Sequence, residues 1–121
     1  MTIEEQRRAI LLLSAVELSG GGTKARVLDN ISAKAYLVLG PRDLAYKHNR
    51  HEHVWRNELA YVRKHLVQDG YFDDARRDWW AVTDAGRRYL GDLAGRLPQL
   101  GGDTILSQRA LQAIRAAASE S

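Results

Sequence analysis

Trp55, Leu59, Val62 and Leu66 recur at i, i+4, i+7 and i+11, and this run constrains the fold more than any other feature of the chain. Side chains at that spacing share one stripe of an α-helix but fall on both faces of a strand. The run therefore predicts a helix over about 53–69, closed by Asp69-Gly70. Trp55 lies on the stripe and reads as core, with base stacking as the alternative. Arg56, Asn57 and Lys64, with Arg63 nearby, read as turned away from it.

The flanking text supplies further elements. Thr2-Ile3-Glu4-Glu5 reads as a capping box, the Thr2 hydroxyl capping the helix and Glu5 reaching back to the Thr2 amide. That helix runs to about Leu18, with Ala9, Leu12, Leu13 and Val16 inward, and Ser19-Gly20-Gly21-Gly22 ends it. Thr23 caps a second helix from Lys24 to about Ile31, and Ala33–Leu39 reads as a further short helix. Pro41–His51 reads as a loop or short helical turn. Tyr71-Phe72 and Trp79-Trp80-Ala81-Val82 have the aromatic content of strands, with Trp80 and Val82 inward and Trp79 outward. Asp73–Asp78 is then a charged hairpin tip. Thr83-Asp84 starts a helix through Tyr89, Leu90 and Leu93, and a last helix spans about Thr104–Ala118.

Helices followed by a two-stranded hairpin and another helix predict a mostly α fold with a small β-hairpin wing. This is a winged helix-turn-helix with an extra C-terminal helix. With 121 residues, the chain suits one such domain over 1–97. Residues 98–121 then form a linker and a helix that packs on the domain or pairs with its mate in a homodimer.

Composition narrows the function classes. The chain lacks cysteine, which removes disulfides, thiolate metal sites and a Cys nucleophile. The acidic start and short apolar runs predict no signal peptide and no membrane span, hence a cytoplasmic protein. Net charge is +3, and arginines, lysines and all four histidines crowd between Arg42 and His65. Such a segment suits phosphate contacts.

Trp55-x-Asn57-x-Leu59-x-Tyr61, then Leu66, Gly70 and Trp80-x-Val82-Thr83-x-x-Gly86-Arg87, resembles the winged-helix domain at the N-terminus of Mrr-type restriction proteins. The resemblance covers about Glu4 to Leu97. It implies DNA binding by the third helix. Family members often carry a C-terminal nuclease, but residues 98–121 hold no Asp…Glu-x-Lys set, so cleavage is not implied.

The expected partner is duplex DNA, read by the third helix (about 53–69) and the wing (71–82). On the helix, Arg56, Asn57, Arg63 and Lys64 are candidate contacts, with Lys47, Arg50 and His53 before or at its start. Lys24 and Arg26 open the second helix and suit phosphates. Arg76 and Arg77 sit on the wing tip among Asp73, Asp74 and Asp78. A solvated basic face is the plain alternative. Trp79 suits the C-terminal helix, a partner or a DNA backbone, and the sequence does not choose.

His48, His51 and His53 with Glu52 could ligate a metal, or gain charge as pH falls and tighten DNA binding. A polar loop without thiolates suits a structural metal poorly, and ordinary DNA-proximal or exposed histidines are the plainer reading, so no metal and no cofactor are expected. His48-Asn49…Glu52-His53 superficially resembles a nuclease motif but lacks its strand-turn-helix setting, and no enzymatic activity is expected. The role expected is a transcriptional regulator or the targeting module of a restriction or defence system. The alternative is a winged-helix protein-interaction module without DNA binding.

Overall fold

The structure, a computed structural model, describes residues 1–46, 51–100 and 105–120. The helices are α1 (Ile3–Ser19), α2 (Lys24–Ala33), α3 (Pro41–Leu44), α4 (Val54–Gln68), α5 (Asp84–Gly95) and α6 (Gln108–Glu120), with a 3-10 turn at Leu97–Leu100. Threonines set three helix starts. The hydroxyls of Thr2, Thr23 and Thr83 accept from the backbone N–H of Glu5, Arg26 and Gly86. At Thr2 the Glu5 carboxylate meets the hydroxyl, not the amide.

α1 is the centre of the molecule. Ala9 through Val16 are all buried, so the expected inner stripe widens to a full circumference. A helix apolar all round needs cover on every side. α2, α4, α5, α6 and the 3-10 turn supply it. α6 spends Ala110, Ile114 and Ala117 on this shared core. The Arg7 guanidinium donates to the Leu100 carbonyl, fastening the 3-10 turn to α1.

Two expected elements are corrected. No helix forms over Ala33–Leu39. α2 stops at Ala33 because Ala35 takes a left-handed φ of 54°. The backbone beyond it runs beside residues 105–107: Val38 N–H donates to the Ile105 carbonyl, and Ser107 N–H donates to that of Tyr36. α6 accordingly begins at Gln108, capped by Ser107, while Thr104 lies outside the described residues.

The second correction concerns the wing. Among the described residues there is no β-strand, only isolated bridges, so the β-hairpin wing is not formed. Phe72 bridges Val82, but the ladder ends there. The Asp73 carboxylate takes the Ala75 N–H at 2.8 Å and curls the chain away. Trp80 pairs instead with Gly22, N–H to O in both directions. Trp80 and Val82 do point inward, as expected from their alternation.

The 71–83 segment is locked to α5 by one close approach. A Cβ on Gly86 would sit 2.1 Å from the Tyr71 carbonyl oxygen and 2.8 Å from Val82 Cγ1. The Thr83 hydroxyl donates to the Gly70 carbonyl at 2.6 Å while capping α5. Arg87 then reaches Glu17 of α1 at 2.6 Å. Gly86→Ala is expected to cost about 1–3 kcal/mol by overpacking, read as a lower urea midpoint. An unchanged midpoint would show that the segment yields freely.

Tyr89 stacks on Tyr71, ring centroids 4.2 Å apart. Burial, then charge repulsion from the neighbouring Tyr71 phenol oxygen, hold the Tyr89 phenol above its ordinary 10.0. The folded state therefore holds this proton more tightly than the unfolded chain. Its contribution to stability is complete below pH 10 and is lost as pH rises through the folded value. Tyr89→Phe is expected to flatten the decline in stability above pH 10, measured by urea unfolding at a series of pH values.

Candidate nucleic-acid interface

α4 presents an inner side, an outer side and two flanks. Trp55, Leu59, Val62 and Leu66 are buried, as their spacing predicts. Two residues on, the same spacing places Asn57, Tyr61, Lys64 and Gln68 on the opposite side. Lys64 and Gln68 are exposed, and Tyr61 is 55% exposed with its ring edge-on to His65.

Arg56 and Arg63 lie between these sides. Arg56 reaches α2, pairing with Asp29 at 2.8 Å, and its guanidinium lies over the Trp55 ring. Arg63 lies over Trp80, 5.5 Å from the ring centroid, with its Nε buried and without an acceptor among the described residues. Both brace α4 against its neighbours. The other flank carries Glu58, the helix's one carboxylate, which is held by Arg8 of α1 at 2.6 Å and Arg42 of α3 at 2.9 Å. The row Asn57, Tyr61, Lys64 and Gln68 itself contains no acid, but Glu58 and, from α1, Glu4 and Glu5 line one cleft with Asn57 and Tyr61.

The remaining candidates scatter around this helix. His53 is the residue before α4; its Nδ1 bonds the Leu44 carbonyl at 2.5 Å and its ring stacks on Tyr46. Lys24 is paired with Glu52 at 3.0 Å. Arg26, Arg76 and Arg77 are exposed, and Arg76 covers the Trp79 ring at 4.5 Å. Lys47, Arg50 and His48 lie outside the described residues. Among the described residues no group of three His, Asp or Glu side chains is close enough to hold a metal ion. No helix among them is long and apolar enough to cross a membrane.

Sequence reasoning passed over Tyr61 and Gln68 as members of the outer side of α4. The signal was the periodicity already used for the core, shifted by two positions. Charge drew attention to Arg56 and Arg63 instead, yet an arginine has the reach and the apolar stem to pack on a flank.

The Mrr N-terminal domain family matches residues 6–92, from α1 into α5. Comparison with curated proteins and with solved structures gives no match.

Loss of the Arg63–Trp80 contact is expected to cost about 1–2 kcal/mol in Arg63→Ala, whereas Lys64→Ala is expected to stay within about 0.5 kcal/mol. Urea unfolding of the two variants checks the assignment. Equal effects would contradict it.

Proposed function

The chain belongs to the Mrr N-terminal domain family, and from that premise we propose that it is a duplex-DNA-binding module of a restriction or defence system with no chemistry of its own. The outer side of α4 meets the DNA. Asn57, Lys64 and Gln68 supply hydrogen-bond donors, and Asn and Gln can pair bidentately with adenine. Tyr61 adds an aromatic edge. The observation that carries this reading is the pairing of Glu58: the one carboxylate of α4 is held by two arginines. The contact centres on the exposed Lys64 and Gln68, since Glu4 and Glu5 of α1 border the Asn57–Tyr61 end. A helix offered to a polyanion gains from that arrangement, because a carboxylate on the contact side would repel phosphates.

The exposed cations Arg26, Arg76 and Arg77 suit backbone contacts around the helix, which position the protein without reading sequence. Arg56 and Arg63 support the contact side from below; their loss weakens binding through stability.

Fluorescence anisotropy with a random duplex at rising salt tests the proposal. Wild type is expected to bind and to lose affinity steeply with salt. Lys64→Ala is expected to weaken binding uniformly across sequences and to lower the log–log salt slope by about 1. No binding at low salt, or an unchanged slope in the variant, would overturn the placement of DNA on α4. Protein docking on the exposed Val38, Leu44 and Tyr46 would then be the reading to pursue.

A further inference from the structure

Arg26, Asn30 and Lys34 follow one another at four-residue intervals, so one ridge along α2 and its C-cap carries two cations with an amide between them. This ridge borders a cleft of about 480 Å³, closed opposite by the Gly20–Gly22 turn and the Trp79 indole. Among the described residues no carboxylate lines the cleft. Several neighbouring cations are taken up by acids: Lys24 by Glu52, Arg56 by Asp29, Arg42 by Glu58 and Arg87 by Glu17. Arg26 and Lys34 have no such partner among the described residues, and both are exposed.

Trp79 sharpens the chemistry. Its Nε1 would lie 2.9 Å from a Cβ on Gly21, so the indole edge rests against a glycine whose φ of 104° disfavours any side chain. The indole N–H has no acceptor among the described residues. A guanidinium, an ammonium, a carboxamide and an indole N–H thus line one cleft, and a neighbouring acid competes for none of them.

We propose that this cleft binds the phosphate groups of a nucleotide. Phosphate esters bring negative charge and acceptor oxygens, the complement of this donor set. Eight residues of helix span about 12 Å, more than one phosphate covers and suited to two phosphates or to a phosphate with its sugar. The volume lies in the range of small-molecule sites. Two sources offer this chemistry, a free nucleotide and the backbone of a DNA strand. Asp29, which ties α2 to α4, stands three residues from Arg26 and is held by Arg56, so with DNA as the source the proposal rests on the α4 reading, whereas with a free nucleotide it does not.

The test uses the full chain and the variant Arg26→Ala/Lys34→Ala, with circular-dichroism melts to show that both fold. Should the alanine variant melt early, Arg26→Gln/Lys34→Gln repeats the measurement at near-native side-chain length. ADP is titrated by calorimetry at low salt, and a 12-base-pair duplex by anisotropy. Saturable ADP binding that weakens at least tenfold in the variant supports the proposal with a free nucleotide as source. Inert ADP with duplex binding weakened at least tenfold supports it with the DNA backbone as source. Wild-type affinity for both probes in the variant overturns it. Duplex binding lost in Lys64→Ala but kept in the double variant, with ADP inert, also overturns it while leaving the α4 reading intact.

Discussion

Burial of α1 on all sides is the constraint from which the rest of the structure follows. Eight consecutive residues, Ala9 to Val16, lose their contact with water. Each large apolar side chain among them contributes about 1.5–3 kcal/mol by leaving water, so the chain gains most by wrapping this helix completely. No single neighbour can do that. α4 and α2, α5, the 3-10 turn and α6 close around it together. Even Ser14 is carried inside, its hydroxyl without an acceptor among the described residues. Once α4 has turned Trp55, Leu59, Val62 and Leu66 inward, the residues left facing outward are determined by helix geometry alone.

Charge pairing refines that outcome. The basic stretch of the chain does not form a uniformly positive surface. Arg8, Arg42 and Glu58 join α1, α3 and α4, Arg56 and Asp29 join α4 to α2, and Lys24 takes Glu52. Partly exposed pairs of this kind add little stability each, but they decide which faces keep a net charge. What they leave is an exposed Lys64 on the outer side of α4, at the far end from Glu4 and Glu5, and a basic ridge on α2.

The residues that carry the family resemblance prove to be largely architectural. Trp80 and Val82 are core, Thr83 joins Gly70 to α5, Gly86 admits the Tyr71 carbonyl, and Arg87 ties α5 to α1. The helices bearing threonine caps and apolar stripes were legible in the sequence because capping and periodicity are local properties. The wing was not, since Tyr71-Phe72 and Trp79–Val82 have strand composition but an Asp73 side chain captures the N–H that would continue the ladder. Nor was the absence of a further helix after α2, where Ala35 adopts a left-handed conformation that its residue type does not signal. The roles of Arg56 and Arg63 depended on partners far along the chain, Asp29 and Trp80, which no local pattern reveals.

The most direct test of the account is a nuclear magnetic resonance titration of the labelled chain with duplex DNA, following backbone amides. Shifts that centre on Asn57, Tyr61, Lys64 and Gln68, with α6 undisturbed, are the predicted result. Shifts centred on α6 or on the 36–46 segment, with the outer side of α4 unmoved, would contradict the claim that this side faces DNA.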